Sequence, residues 1–208
     1  MTRTRIKICG ITRPEDGVAV AHAGADAIGL VFYAPSPRAV SIAQAQAVAA
    51  ALPPMVTKVA LFVDAEPALV ESVLAAVPID LLQFHGDELP ADCDRYAVPY
   101  IKVAKLQAGF DLLSYSCRYP NACGILADTY SAAAQGGTGE TFDWSLLPPR
   151  LDKPLILAGG LTPANVADAV RRVRPFAVDV SGGVEAGKGI KDTAKITAFV
   201  NEVQHVDD

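Results

Sequence analysis

The sequence predicts an α/β fold closed into a (β/α)8 barrel, and two patterns in its 208 residues carry that prediction. Short runs rich in Val, Ile and Leu alternate with alanine-rich segments whose apolar residues recur at helical spacing, as parallel strands joined by crossover helices do. Eight such units fit, at about 26 residues each, which favours closure over an open sheet. An open doubly wound sheet would be expected to show a GxGxxG turn after its first strand. The ICGITR segment, Ile8 to Arg13, has one glycine there.

The strands are expected at Arg5–Cys9, Asp26–Phe32, Val56–Val63, Asp80–Phe84, Tyr100–Ala104, Gly124–Ala127, Pro154–Leu157 and Ala177–Val180. Helices are expected near Pro14–Ala23, Ile42–Leu52, Pro67–Val77, Ala91–Tyr96, Phe110–Cys117, Phe142–Leu147, Pro163–Val173 and Thr193–Val200, the fourth and sixth being short. Thr12 with Glu15 and Ser41 with Gln44 match the capping box, and Thr162-Pro163 sets a proline at the first helical position. No linker, low-complexity stretch or clear repeat divides the chain, so residues 1–208 are read as a single domain.

Composition narrows the function. Half of the residues are hydrophobic and a fifth charged, which is globular rather than disordered. A net charge of −5 without runs of like charge argues against a nucleic-acid or membrane face. An anionic ligand would then need backbone amides or a placed arginine. The apolar runs are strand-length, and the N-terminal MTRTRIKIC lacks the apolar core of a signal peptide, so the cytoplasm is the expected compartment. Cys9, Cys93, Cys117 and Cys123 form no CxxC pair, and His22, His85 and His205 are scattered, so neither a disulfide framework nor a metal site is expected.

In a barrel of this kind the chemistry sits at the carboxyl ends of the strands. Those ends carry Cys9, the SPR of YAPSPRAVS, Asp64, QFHGDE, Asp128, LAGGLTPANV and VDVSGGVE. The last two turns, with Gly159-Gly160 and then Asp179, Ser181, Gly182 and Gly183, let backbone N–H groups approach an anion, which points to a phosphorylated ligand. Arg38, approached through two prolines, suits a carboxylate because its planar fork matches one. Gln83 and His85 are candidate polar groups of the same site. Gly136-Gly137-Thr138-Gly139 reads either as a mobile cover or as a solvated loop.

KICGIT, GLVFYAPSPRAVS, VALFV, QFHGDE, DTY with GGTGETFDW, LAGGLTPANV and VDVSGGVE with GKGIKD occur in this order along the whole chain. As a set they resemble the phosphoribosylanthranilate isomerases, tryptophan-pathway enzymes that perform an Amadori rearrangement. The resemblance implies a (β/α)8 barrel, a small phosphosugar substrate, no metal and no organic cofactor, and a monomer or homodimer. It implies that Cys9 is the general base, Asp128 the general acid and Arg38 the holder of the anthranilate carboxylate, with the glycine turns gripping phosphate. Gly10 is expected to leave room for substrate above Cys9. The family commonly has serine where Gly182 stands, so a hydroxyl contact from that position is lost while a backbone contact survives.

Rival readings stay within reach of the residues alone. An indole-glycerol-phosphate synthase would need catalytic lysines, and Lys7, Lys58, Lys102 and Lys105 exist without a KxSPS-like segment. A ribulose-phosphate epimerase would need metal-binding histidines on several strands. A non-catalytic phosphosugar binder would have no reason to keep Cys9, Asp128 and Arg38 together.

Overall fold

A computed structural model of the protein describes residues 3–107, 109–128, 144, 147–148 and 150–207. Eight parallel strands close on themselves in chain order: β1 (Arg5–Cys9), β2 (Ala27–Val31), β3 (Thr57–Phe62), β4 (Leu81–Phe84), β5 (Tyr100–Lys105), β6 (Gly124–Asp128), β7 (Leu155–Ala158) and β8 (Ala177–Val180). The helices are α1 (Pro14–His22), α2 (Ile42–Ala51), α3 (Pro67–Ala76), α4 (Pro90–Cys93), α5 (Leu112–Cys117), α6 (Val166–Val173) and α7 (Thr193–Asp207). The expected strands are therefore all present, with ends within a residue of those read from the sequence. The expected helix near Phe142–Leu147 falls largely outside the described residues, and the Gly136–Gly139 run entirely so.

The period-two alternation of each strand sorts side chains into two layers. On one side, Ile6, Ile8, Ile28, Leu30, Phe62, Leu82, Phe84, Ile125, Leu157 and Val178 join the helix faces in the larger core. On the other side, Ile101, Val103, Leu126, Ile156, Ala158 and Ala177 fill the barrel. Above them Cys9, Val31 and Leu61, with Val63, form a small cluster. Both faces of every strand are covered, which explains the near-continuous apolar runs.

The helix ends correct three readings. Ser41 caps α2 and its Gln44 reaches back, so that capping box is real. The Thr12–Glu15 box is not: Arg13 occupies the N-cap of α1 without a side-chain cap, and the Thr12 hydroxyl donates instead to the Gly189 carbonyl. Pro163 does not begin α6, which starts at Val166 after Asn165. The Thr162 N–H donates to Asn165 Oδ1 at 2.8 Å and Asn165 Nδ2 donates to the Gly160 carbonyl at 3.0 Å, so residues 160–165 close as a side-chain-pinned turn. The last helix runs beyond Val200 to Asp207 because Val203 continues the buried stripe of Ile196, Phe199 and Val200.

After β8 the chain makes a 3-10 turn (Gly182–Val184) and a small hairpin, β9 (Glu185–Gly187) and β10 (Ile190–Lys191). Strands this short leave no periodicity to read in the sequence.

Candidate active site

Strand register assembles the site. In β1, Lys7 and Cys9 are two residues apart and share a face. The parallel pairing of β1 with β8 sets Lys7 beside Asp179, and that of β1 with β2 sets Cys9 beside Gly29. Lys7 Nζ then donates to Asp179 Oδ1 at 2.9 Å with both side chains buried. A Cβ on Gly29 would stand 2.7 Å from Cys9 Sγ and 3.1 Å from Lys7 Nζ, so only a glycine lets both atoms occupy that spot.

Burial pushes the Cys9 thiol above its ordinary value; Lys7 pulls it down, Asp179 adds to the rise and Lys191 lowers it again. Burial likewise works against the Lys7 ammonium, yet Asp179 and Cys9 together hold its pKa above the ordinary value.

His85 and Asp128 meet at the ends of β4 and β6, with His85 Nε2 3.3 Å from Asp128 Oδ2. His85 Nδ1, Gln83 Oε1 and Ser181 Oγ are buried with no hydrogen-bond partner among the described residues. A native interior rarely leaves such atoms unpaired without a reason. Polar atoms of this kind, near the carboxyl ends of the strands, are those a polar ligand can satisfy.

Arg38 reaches across the top of β1. Gly10, at φ +75°, clears its path, since a Cβ there would lie 2.5 Å from Arg38 Cδ. The space above Gly10 is thus taken by Arg38. Arg38 Nε and Nη2 donate to Glu185 Oε1 and Oε2 at 2.7 and 2.8 Å, and Lys191 Nζ donates to Glu185 Oε1 at 2.9 Å. Burial favours the neutral acid at Glu185, but the hydrogen bonds from Arg38 and Lys191 outweigh it and hold the carboxyl below its usual range. A guanidinium has five N–H groups in a rigid fork. Glu185 takes the side edge through Nε and Nη2. Nη1 and the second Nη2 hydrogen remain to grip a carboxylate end-on.

The two glycine turns touch. A Cβ on Gly183 would come 1.9 Å from the Leu161 carbonyl oxygen, so the turn after β8 lies directly on the turn after β7. Gly159 and Gly160 have φ of +87° and +66°, and the Cβ direction of Gly160 meets nothing within 4 Å. A Cβ on Gly182 would come within 3.3 Å of Arg38 Nη2, so glycine at this position lets the guanidinium lie close to the turn.

The structure thus brings Cys9 and Asp179 together near the carboxyl ends of β1 and β8, His85 and Asp128 at the ends of β4 and β6, and Arg38 against Gly182. Sequence reasoning missed Lys7, Glu185, Lys191 and Asn165. The first was findable, since KIC alternation places Lys7 on the face of Cys9. Glu185 and Lys191 were not, because only the hairpin folds them back onto Arg38. Among the described residues no group of three or more His, Cys, Asp or Glu is placed to hold a metal ion.

An eight-stranded parallel barrel with a titratable cluster and paired glycine turns at its strand ends defines a barrel enzyme for a small anionic substrate. The family model for N-(5'-phosphoribosyl)anthranilate isomerase matches residues 6–202, so the chain belongs to that family. It is 63% identical over 204 residues to the N-(5'-phosphoribosyl)anthranilate isomerase of Pseudomonas fluorescens, covering 98% of this chain and 97% of the relative. The crystal structure of phosphoribosyl anthranilate isomerase from Thermotoga maritima superimposes with a TM-score of 0.90 at 40% identity, covering 97% of this chain and 99% of that one. A phosphoribosyl anthranilate isomerase in complex with reduced 1-(o-carboxyphenylamino)-1-deoxyribulose 5-phosphate matches with a TM-score of 0.86 at 39% identity, covering 97% and 99%.

Proposed function

We propose that this protein converts N-(5-phosphoribosyl)anthranilate to 1-(2-carboxyphenylamino)-1-deoxyribulose 5-phosphate by general acid–base catalysis. The observation that carries the reading is its relation, over nearly its full length, to isomerases of this name, one of them solved with a reduced product.

In this reading Asp128, in its acid form, gives a proton to the furanose oxygen as the C1–O bond breaks, leaving a protonated Schiff base between C1 and the anthranilate nitrogen. That cation acidifies the C2 hydrogen. Cys9 thiolate takes the C2 proton, and the C–H electrons form the C1=C2 bond while the nitrogen is neutralised. The enolamine then tautomerises to the aminoketose. His85, 3.3 Å from Asp128, is placed to orient that carboxyl. Arg38 holds the substrate carboxylate with the edge that Glu185 leaves open. Gly159, Gly160, Ser181, Gly182 and Gly183 receive the phosphate, with Ser181 Oγ a ready hydrogen-bonding group. Gln83 serves the same pocket from the floor.

One barrel domain, residues 1–208, carries this site, acts in the cytoplasm as a monomer or homodimer, and needs neither metal nor organic cofactor. Purified protein mixed with freshly made phosphoribosylanthranilate should speed the loss of anthranilate-type fluorescence. A rate equal to the spontaneous background overturns the proposal.

A further inference from the structure

The acid–base reading leaves an unsolved demand on Cys9. A thiol buried at the end of β1 must lose its proton in a place where burial opposes the charge. Something fixed must favour the anion. The groups facing Cys9 are few. β1 contributes Lys7, β8 contributes Asp179, β10 contributes Lys191, and the segment after β2 contributes Arg38. The neighbours of Cys9 in its own cluster, Val31, Leu61 and Val63, are apolar and screen nothing.

Two of the three cations are already engaged away from the sulfur. Arg38 is forked on Glu185 with both bonds under 2.9 Å, and Lys191 donates to Glu185 and to the Ser181 carbonyl. Lys7 differs. Its ammonium and the Cys9 sulfur border the same point over Gly29, 3.1 and 2.7 Å from where a Cβ would stand, and its hydrogen-bond partner is Asp179. An ammonium has three hydrogens. One goes to Asp179, so another is available to the sulfur.

We infer that Lys7 is a positioning residue for Cys9: its ammonium, anchored inside the barrel by Asp179 at 2.9 Å, is the cation against which the Cys9 thiolate forms. Asp179 then serves the site by holding Lys7, which gives it a role different from direct contact with substrate. The arrangement has a built-in balance. Asp179 keeps the buried lysine charged, and by partly neutralising it prevents a thiolate–ammonium pair so stable that the sulfur would be a poor base. The inference rests on Cys9 being the base, and it explains why the strand reads K-I-C.

The test titrates Cys9 in the free protein by ultraviolet thiolate absorbance, taking the difference between each variant and the same variant carrying Cys9→Ser. Lys7→Met should move the midpoint up by about one pH unit or more, a tenfold loss of thiolate at fixed pH below the midpoint. The alkaline-rising limb of kcat/KM should shift with it, while affinity for a reduced product analogue changes little. Lys7→Met combined with Asp179→Asn leaves no unpaired buried charge and supplies a folded protein should Lys7→Met alone fail to fold; its midpoint should also rise. A midpoint unchanged in the folded variants lacking Lys7 overturns the inference. Because the titration needs no substrate, that failure is separate from failure of the acid–base reading, which would show as full activity in Cys9→Ser.

Discussion

A thiol two residues beyond a buried lysine, and an arginine already clasped by a glutamate, are the two points on which chemistry and packing meet. Burial raises the Cys9 pKa, so the active thiolate fraction should grow with pH through and beyond neutrality. The rising limb of kcat/KM against pH should therefore lie above that of an ordinary thiol, and Cys9→Ser should remove it along with most of the activity. Arg38→Ala should cost charge-assisted hydrogen bonds worth about 1.5–3 kcal/mol, roughly a 10- to 150-fold loss of kcat/KM. Arg38→Lys should recover only part of that loss, because an ammonium cannot hold Glu185 on one edge and substrate on another. Full recovery with lysine in steady-state assays would show that charge alone is used.

At the scale of the element, the turns after β7 and β8 act as one unit because Gly183 rests on the Leu161 carbonyl. Gly183→Ala must push the two turns apart, since a Cβ 1.9 Å from a backbone oxygen has no flexible neighbour to yield. Gly160→Leu acts differently. The space beside it is open, but its φ of +66° strains any L side chain and the added bulk covers the approach to the turn. Both variants should raise KM more than they lower kcat, and inorganic phosphate should bind each more weakly than wild type in a competition assay. Unchanged KM in a folded Gly160→Leu protein would remove the phosphate from this turn. The two glycine turns themselves were legible in the sequence. Their mutual contact was not, because it depends on how the chain leaving β8 folds back over the turn after β7, which no local pattern announces.

Across the whole molecule, buried ion pairs knit loops onto the barrel. Lys102, fully buried on the helix side of β5, donates to Glu88 Oε2 at 3.0 Å and to the Gly86 carbonyl at 2.6 Å, while Glu88 Oε1 accepts from the N–H groups of Asp64 and Gly86. This knot fixes the chain that follows His85. Lys102→Met should destabilise the protein by about 3–5 kcal/mol through the unpaired Glu88, and Lys102→Met with Glu88→Leu should regain part of it in urea unfolding. Glu185 gives a pH signature of the opposite end of the site. Its carboxyl is held below the usual range in the folded protein, so its stabilisation is present above the unfolded value of about 4.3 and is lost as pH falls through the lower folded value. The stability difference between wild type and Glu185→Gln, measured by urea titration, should be largest near neutrality and shrink under acid. A difference independent of pH would mean that Glu185 contributes packing and no charge.

Hydrophobic periodicity and turn residues, both local properties, were enough for the eight strands, most of the helices and the strand-end residues Cys9, Arg38, His85 and Asp128. Capping was read correctly at Ser41 and wrongly at Thr12, because the Thr12 hydroxyl has a partner, Gly189, that no local pattern announces. Local patterns also cannot say which partner a charge will find. Only closure of the barrel sets β1 against β8 and so gives Lys7 its Asp179, and only the return of the β9–β10 hairpin gives Arg38 its Glu185. The chain alone determined which groups stand at the strand ends. Tertiary structure decided which of them are paired, buried and charged, because those states depend on neighbours brought from far along the sequence.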